Sequence, residues 1–298
     1  MALTATATPT IRDSVIASLK MSEPVLIQTG FDRGNLFLDC KYIELIRNRP
    51  SPSRLALVPD LGVSKVKICE DIYYSIILKN HLLSKTGLIY VHSRKDAEQF
   101  SAFFQRAFGL SVEPYHAGLT REAKNSTQEH WEKGHTDIIV ATSAFGMGVD
   151  VSGVRFVAHA FIPNSLCNLY QEIGRAGRDG EDALVMLYYS ANMLSTHRQH
   201  AFNDAVKRAG DKQSAEHDAR YLEILEELRD VKLYAEPVKC RRQVILEYFE
   251  GAKGGQDGGR VFERRERCCD VCASTQAIDK MRTLYASLRR AKKTKHAF

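Results

Sequence analysis

Tyr170-Gln171-Glu172-Ile173-Gly174-Arg175-Ala176-Gly177-Arg178-Asp179-Gly180 sets an amide and two guanidiniums close together in the chain. Read as a helix reaching at least Arg178, it places Gln171, Arg175 and Arg178 at i, i+4 and i+7 on one face. Such a face suits phosphate, because arginine keeps its charge and presents a rigid fork of donors. A transferring γ-phosphate spreads its transition-state charge over equatorial oxygens that such forks can reach. Gly174, Gly177 and Gly180 each cost a helix about 1 kcal/mol relative to alanine, which implies a use: room where something approaches closely. The bland alternative is a solvated basic helix end.

Outward from this stretch, short apolar runs alternate with helical periods. Gly87 to Val91 reads as a buried parallel strand, followed at once by Ser93-Arg94-Lys95 and a helix from Asp96 to Phe108. Ligands of open α/β sheets bind at the carboxyl ends of strands, so Ser93 and Arg94 are placed to hold a phosphate. Val112 to Leu119 repeats the theme, with His116 and Gly118 in its loop. Asp137 to Thr142 is a third strand, and its loop carries Gly148 and Asp150. Arg155 to Ala160 and Ala183 to Tyr188 complete five strands. The alternation predicts an α/β fold, a parallel sheet with helices on both faces. Between Cys40 and Gly87 the pattern is less tidy. Arg47 to Arg54 reads as a turn, a helical period follows around Ile72, Ile76 and Leu83, and part of the interval reads as an insertion of unknown role.

The second half turns helical. From Asn192 to Tyr234, the residues Tyr221, Leu222, Leu225, Leu228 and Leu233 form one apolar stripe of a helical hairpin. Cys240, Cys268, Cys269 and Cys272 then bunch together. A Cys followed three residues later by another is half of a tetrahedral thiolate site, and two more complete four soft ligands for zinc, although adjacent ligands are unusual. Gly251 to Gly259 reads as a flexible loop. The tail from Lys280 to Lys295 is either a solvated basic helix or a phosphate contact.

Composition sets only outer limits. The 298 residues are 44% hydrophobic, enough for a proper core in one large domain or two smaller ones. A net charge of +6, from 42 Lys and Arg against 36 Asp and Glu, is a mild bias toward polyanions and does not by itself imply nucleic acid. No apolar run approaches the roughly 20 residues of a membrane span, and the start lacks the form of a signal peptide, so an intracellular location is expected.

The string from Gln171 to Gly180 resembles the last motor motif of the RecQ family of superfamily 2 DNA helicases. Phe31-Asp32-Arg33-Gly34-Asn35-Leu36 is similar to the family's opening of the second motor lobe, with Gly34 in place of the usual proline. Met1 to Pro9 is similar to the motif that closes the first lobe and couples nucleotide state to DNA. Cys240-Arg241-Arg242-Gln243-Val244-Ile245-Leu246 with Cys268-Cys269-Asp270-Val271-Cys272 resembles the RecQ zinc module, the vicinal pair being similar to the Werner syndrome helicase branch. Val151 stands where RecQ members often have lysine.

The resemblance implies a division into residues 1–28 (end of the first motor lobe and linker), 29–200 (second RecA-like lobe), 201–275 (helical hairpin with zinc module) and 276–298 (basic tail). It implies an ATP-dependent 3′ to 5′ helicase of repair and recombination, located in the nucleus. ATP with Mg2+ would lie between two lobes, its site here made of Gly148, Asp150, Gln171, Arg175 and Arg178, with Asp150 toward the ribose and the two arginines toward the γ-phosphate, Arg178 as finger. Ser93, Arg94, His116, Gly118 and Thr142 would contact the sugar-phosphate backbone of single-stranded DNA, duplex DNA being the other nucleic-acid partner. Cys240, Cys268, Cys269 and Cys272 would hold a structural zinc. No Gly-x-x-x-x-Gly-Lys-Ser/Thr and no Asp-Glu-x-His occurs in these residues. The chain is therefore expected to be the second lobe and zinc module of a larger machine, lacking the winged-helix domain and unable to hydrolyse ATP unaided. The competing expectations are a non-enzymatic zinc-containing DNA-binding or regulatory module and an RNA helicase lobe.

Overall fold

The computed structural model describes the chain apart from residues 1, 3, 5, 28, 47–49, 146–150, 252–267, 274–275 and 296–298, together with the side chains of 277 and 288–295. It divides into two compact units. One comprises Asn35–Pro163 and Glu172–Ala201, the other Met1–Gly34, Asn164–Gln171 and Phe202–Phe298.

The first unit is built on six parallel strands: β1 (Leu36–Tyr42), β2 (Gly87–Tyr90), β3 (Val112–Tyr115), β4 (Ile138–Ala141), β5 (Phe156–His159) and β6 (Ala183–Tyr189), in the order β1-β6-β5-β2-β4-β3. β2, β4 and β5 are buried along their whole length, as parallel strands covered on both faces must be. Pro114 lies in β3, an edge strand, where a missing N–H costs no ladder bond. Gly87 is required by close approach, since a Cβ there would stand 2.1 Å from the Phe156 ring.

The sixth strand, β1, is the departure from the five expected. Its burial alternates along Leu36-Phe37-Leu38-Asp39-Cys40-Lys41-Tyr42, and it pairs with β6 in register Leu36 to Ala183. The interval after it, part of which reads from sequence as an insertion of unknown role, is folded into the core of this unit. Helix α1 (Pro9–Ser18) belongs to the other unit; here α2 (Pro52–Leu57) and α3 (Val63–Asp71) lead into a π-helical stretch, Ile72–Leu78. Val66, Ile68, Cys69, Ile72, Ile76 and Ile77 join the core with Phe100, Phe103 and Phe104. The wider π turn lets Ile72 and Ile77, five apart, both face inward. Leu83, placed on the same period from sequence, is 45% exposed beyond the helix. Asp71 locks the layer by accepting from Lys41 Nζ (2.7 Å), Ser75 Oγ (2.9 Å) and Tyr188 Oη (2.6 Å).

Helices α4 (Arg94–Phe108) and α5 (Arg121–Glu132) link β2 to β3 and β3 to β4. They begin on the side-chain caps Ser93 and Thr120. After β2 the chain moves toward β4 and β3; after β5 it moves through α6 (Leu166–Ile173) toward β6. Adjacent strands whose connections leave in opposite directions define the topological switch point, the ligand-binding crevice of open α/β sheets.

The second unit takes up α7 (Ala191–Ala209) from Phe202 onward, and the hairpin continues through α8 (Lys212–Ala215) to α9 (Ala219–Ala235), closed by Arg208 on Asp218 (2.8 Å), whose carboxylate also caps α9. The apolar face of α9 is Leu228, Val231, Tyr234 and Ala235. Leu222 and Leu233, assigned to it from sequence, are 46% and 43% exposed. Helices α10 (Arg241–Glu250), α11 (Asp270–Ala273) and α12 (Gln276–Lys295) follow; α12 takes in most of the basic tail. Most of the glycine-rich loop expected from Gly251 to Gly259 lies outside the described residues. No helix among the described residues is long and apolar enough to cross a membrane.

Candidate functional site

The arginine stretch is not one helix. α6 ends at Ile173, and residues 174–179 continue as turns, so Arg175 and Arg178 do not share a helical face with Gln171. The turn is held on several sides. Asn35 Nδ2 donates to the carbonyls of Gly177 and Glu181, each at 2.8 Å, and Gly177 N donates to Val154 O at 2.9 Å. Arg155 grips both carboxylate oxygens of Asp179 at 2.6 and 2.5 Å, which holds the Asp179 carboxyl below its usual range. Gly177 has φ of +54°, and a Cβ there would meet Asn35 Nδ2 at 2.4 Å. What approaches this glycine is therefore the neighbouring amide.

Arg175 Nε donates to Tyr90 Oη at 2.9 Å, at the carboxyl end of β2. Burial pushes the Tyr90 phenol up, so it stays a neutral acceptor. The Tyr90 ring lies on that of His159 (5.1 Å, 16°), and His159 Nε2 meets Glu172 Oε2 at 2.7 Å in full burial. Sequence reading passed over this Tyr90-His159-Glu172 platform. The signal available was a histidine within an otherwise apolar strand. Arg178 is exposed on the same turn. Gln171, in the other unit, donates to Thr6 Oγ1 at 2.6 Å, so its amide faces the amino-terminal stretch. Gly148 and Asp150 lie outside the described residues.

Arg94, His116 and Gly118 come together past β2 and β3. A Cβ at Gly118 would stand 3.0 Å from Arg94 Nη1 and 3.2 Å from His116 Nδ1, so the guanidinium lies over the glycine beside the imidazole. His116 is 3% exposed; its Nε2 is 3.3 Å from Glu98 Oε1, outside hydrogen-bond geometry, and its Nδ1 has no protein partner. Ser93 Oγ accepts from Asp96 N at 3.1 Å, so its hydroxyl caps α4. Thr142 follows β4, where its N–H donates to Tyr115 O at 3.1 Å.

The four cysteines converge. All four sulfurs lie within 4.8 Å of one another, with Cys240 Sγ 3.5 Å from Cys268 and 3.8 Å from Cys269. Four thiolates about 2.3 Å from one zinc ion in a tetrahedron stand about 3.8 Å apart, so the donor set and its spacing fit zinc. Hydrogen bonding among the sulfurs pulls the Cys269 thiol below its ordinary range and pushes the Cys240 thiol above it, so a metal would have to displace the remaining protons. The frame is built by two buried arginines. Arg241 takes both oxygens of Asp270 (2.5 and 2.6 Å) and the Tyr234 carbonyl (2.5 Å). Arg242 donates to Cys268 Sγ (3.3 Å), Asp32 Oδ1 (2.7 Å) and Arg33 O (2.7 Å), tying Asp32 and Arg33 to the cysteines.

Comparison with known proteins agrees with both halves. The helicase conserved C-terminal domain family matches residues 64–180, and the RecQ zinc-binding family matches residues 197–273. The ATP-dependent DNA helicase hus2/rqh1 of Schizosaccharomyces pombe is 34% identical over 275 residues, 91% of this chain and 18% of that protein. The ATP-dependent DNA helicase Q5 of Rattus norvegicus is 34% identical, covering 94% of this chain and 26% of its own. The ATP-dependent helicase wrn-1 of Caenorhabditis elegans is 30% identical, covering 91% and 22%. The chain thus spans about a quarter or less of these relatives, and the identities do not separate the branches. Among solved structures, S. cerevisiae Dbp5 bound to RNA and ADP BeF3 has a TM-score of 0.46 at 16% identity, over 66% of this chain and 47% of that one.

Proposed function

The chain belongs to the RecQ family of DNA helicases, whose helicase C-terminal domain and zinc-binding segment it carries, and from that premise we propose that it is the second motor lobe and zinc module of an ATP-dependent, 3′ to 5′ DNA helicase acting in repair and recombination in the nucleus. In this reading residues 1–28 close the first motor lobe, 29–200 form the second, 201–275 hold the hairpin and zinc module, and 276–298 are a basic tail. ATP with Mg2+ is held by the first lobe, and Arg178 and Arg175 complete the pocket with Gln171, Gly148 and Asp150. Cys240, Cys268, Cys269 and Cys272 hold zinc for folding.

The observation that carries this reading is the Arg175 turn. It is clamped by Asn35 and Arg155 beside the carboxyl end of β2, and Arg175 rests on a buried, neutral tyrosine. Fixed guanidiniums act on charge that develops in a transition state without reorganising at the moment of reaction. An arginine consumed by a carboxylate could not do this, and Arg175 binds a phenol instead.

Single-stranded DNA runs over Arg94, His116, Gly118 and Thr142, with Ser93 shaping the start of α4. Such contacts hold the sugar-phosphate backbone without reading bases, as a translocating motor requires. The test is equilibrium binding of this chain to single-stranded oligonucleotides across a salt series. Arg94→Ala should weaken every DNA sequence alike and lower the slope of log K against log salt by about 1. Unchanged affinity and slope would contradict the assignment. Tighter binding to RNA of the same sequence would favour the RNA helicase reading.

A further inference from the structure

Between α1 and β1 the described residues form no helix or strand, yet the chain there changes abruptly from exposed to held. Val25 and Ile27 are 87% and 91% exposed, whereas Phe31 is 8% exposed. The grip comes from the unit that carries the cysteines. The Phe31 ring stacks on that of Phe249, near the end of α10, at 4.6 Å and 13°, and meets the Tyr170 ring edge-on at 5.7 Å. Tyr170 Oη donates to Phe31 O at 3.0 Å. One residue on, Arg242 holds the Asp32 carboxylate and the Arg33 carbonyl while its Nε stays on Cys268 Sγ. That arginine is 4% exposed. Nearer the amino terminus, Thr6 is held by the same unit, with Gln171 Nε2 on its hydroxyl and Cys167 Sγ on its carbonyl.

We propose that the zinc module is the mounting of the hinge between the motor lobes, with Phe31, Asp32, Arg242 and Phe249 as positioning residues that fix the chain just before the second lobe. The inference rests on the two-lobe reading above and gives the module a part in the motor besides its own folding. A hinge transmits lobe movement only if its far side is anchored, since slack there would absorb the displacement. Here the far side is anchored on the arginine that also holds a cysteine sulfur. ATP-driven closure then bends the chain upstream of Phe31 and leaves Phe31 to Arg33 in place. The two anchors differ in kind. Stacking of Phe31 on Phe249 is apolar, whereas the Arg242 fork takes one carboxylate and one carbonyl and so fixes register as well. Its neighbour Arg241 is engaged inside the module, on Asp270 and the Tyr234 carbonyl. One arginine therefore frames the cysteines and the next reaches out to the linker.

The test reads the mounting and the motor separately. Trypsin can cut after Arg33 only when Arg242 releases the Arg33 carbonyl, so cleavage there reports the anchor. In this chain loaded with zinc, Asp32→Ala should speed that cut by about tenfold, relative to the same bond in the unfolded variant, the scale of one hydrogen bond to a charged group. The zinc count, and resistance to cleavage after Arg241 and Arg242 in α10, should not move. Asp32→Glu keeps the charge and should restore most of the protection. Phe31→Leu, which touches no ion pair, should expose the same bond through the other anchor. In the two-lobe helicase, Asp32→Ala should lower the base pairs separated per ATP hydrolysed several-fold and leave the KM for ATP unchanged. Equal cleavage after Arg33 in the unaltered chain and both variants overturns the mounting while leaving the two-lobe reading standing. So does unwinding per ATP that stays at the unaltered value once the cut has become faster. Zinc loss in Asp32→Ala overturns it too, because the carboxylate would then serve only the metal frame. ATP turnover by this chain alone overturns the two-lobe reading and the mounting together.

Discussion

Replacing Arg178 with alanine in the two-lobe helicase is expected to lower DNA-stimulated ATP turnover by about 10³ to 10⁵-fold, the range for removal of an arginine that stabilises phosphoryl-transfer charge. The loss should fall on kcat and leave the KM for ATP nearly unchanged, because the charge it meets develops only in the transition state. Arg178→Lys should recover little, since an ammonium cannot reproduce the planar fork. Stability should change little, because Asn35 and the Arg155-Asp179 pair clamp the turn that carries Arg178. A loss under tenfold, or one accompanied by a fall in melting temperature of many degrees, would assign Arg178 a structural part.

Removal of the metal is expected to have the largest effect on folding. Structural zinc in small modules contributes on the order of 10 to 16 kcal/mol of apparent binding free energy at neutral pH, as much as or more than the roughly 5 to 15 kcal/mol that holds a domain together. In this chain the sulfurs of Cys240, Cys268, Cys269 and Cys272 are brought within 4.8 Å, and the surrounding ion pairs Arg241-Asp270 and Arg242-Asp32 are at least partly buried. Ion pairs of this kind stabilise little alone, because desolvation offsets their attraction. A chelator, or Cys269→Ser, should therefore melt α10 and α11 and open the segment to proteolysis, while the six-stranded sheet persists. The measurement is circular dichroism and limited proteolysis with and without chelator, beside a metal count of one zinc per chain. Identical melting curves in both conditions would contradict the zinc assignment.

The sequence made the sheet legible where strands are buried on both faces: Gly87 to Tyr90, Ile138 to Ala141 and Phe156 to His159 have no polar alternation to confuse with a helix. It concealed β1, because Asp39 and Lys41 interrupt an edge strand whose burial alternates. It suggested a longer arginine helix than exists, since periodicity cannot register that Gly177 takes a positive φ to let Asn35 in from 142 residues away. The hairpin stripe was displaced for a related reason: Leu222 and Leu233 have the right spacing, yet tertiary packing selects the face of Leu228, Val231 and Tyr234. Of the candidate site, the cysteine quartet was legible by type and converges, whereas the contacts that hold the arginine turn were not. The cysteine quartet and the arginines announce themselves by type. Tyr90, His159 and Glu172 act through contacts between β2, β5 and the end of α6, which no spacing rule encodes.

The central claim, that Arg175 and Arg178 complete a nucleotide pocket whose other wall is a first motor lobe, is tested most directly by ATP turnover of the purified 298-residue chain with saturating single-stranded DNA. The account predicts no hydrolysis above background, because in it the two arginines act on a nucleotide that the first lobe holds. DNA-stimulated hydrolysis that disappears with Arg178→Ala would show a complete site within this chain and contradict it.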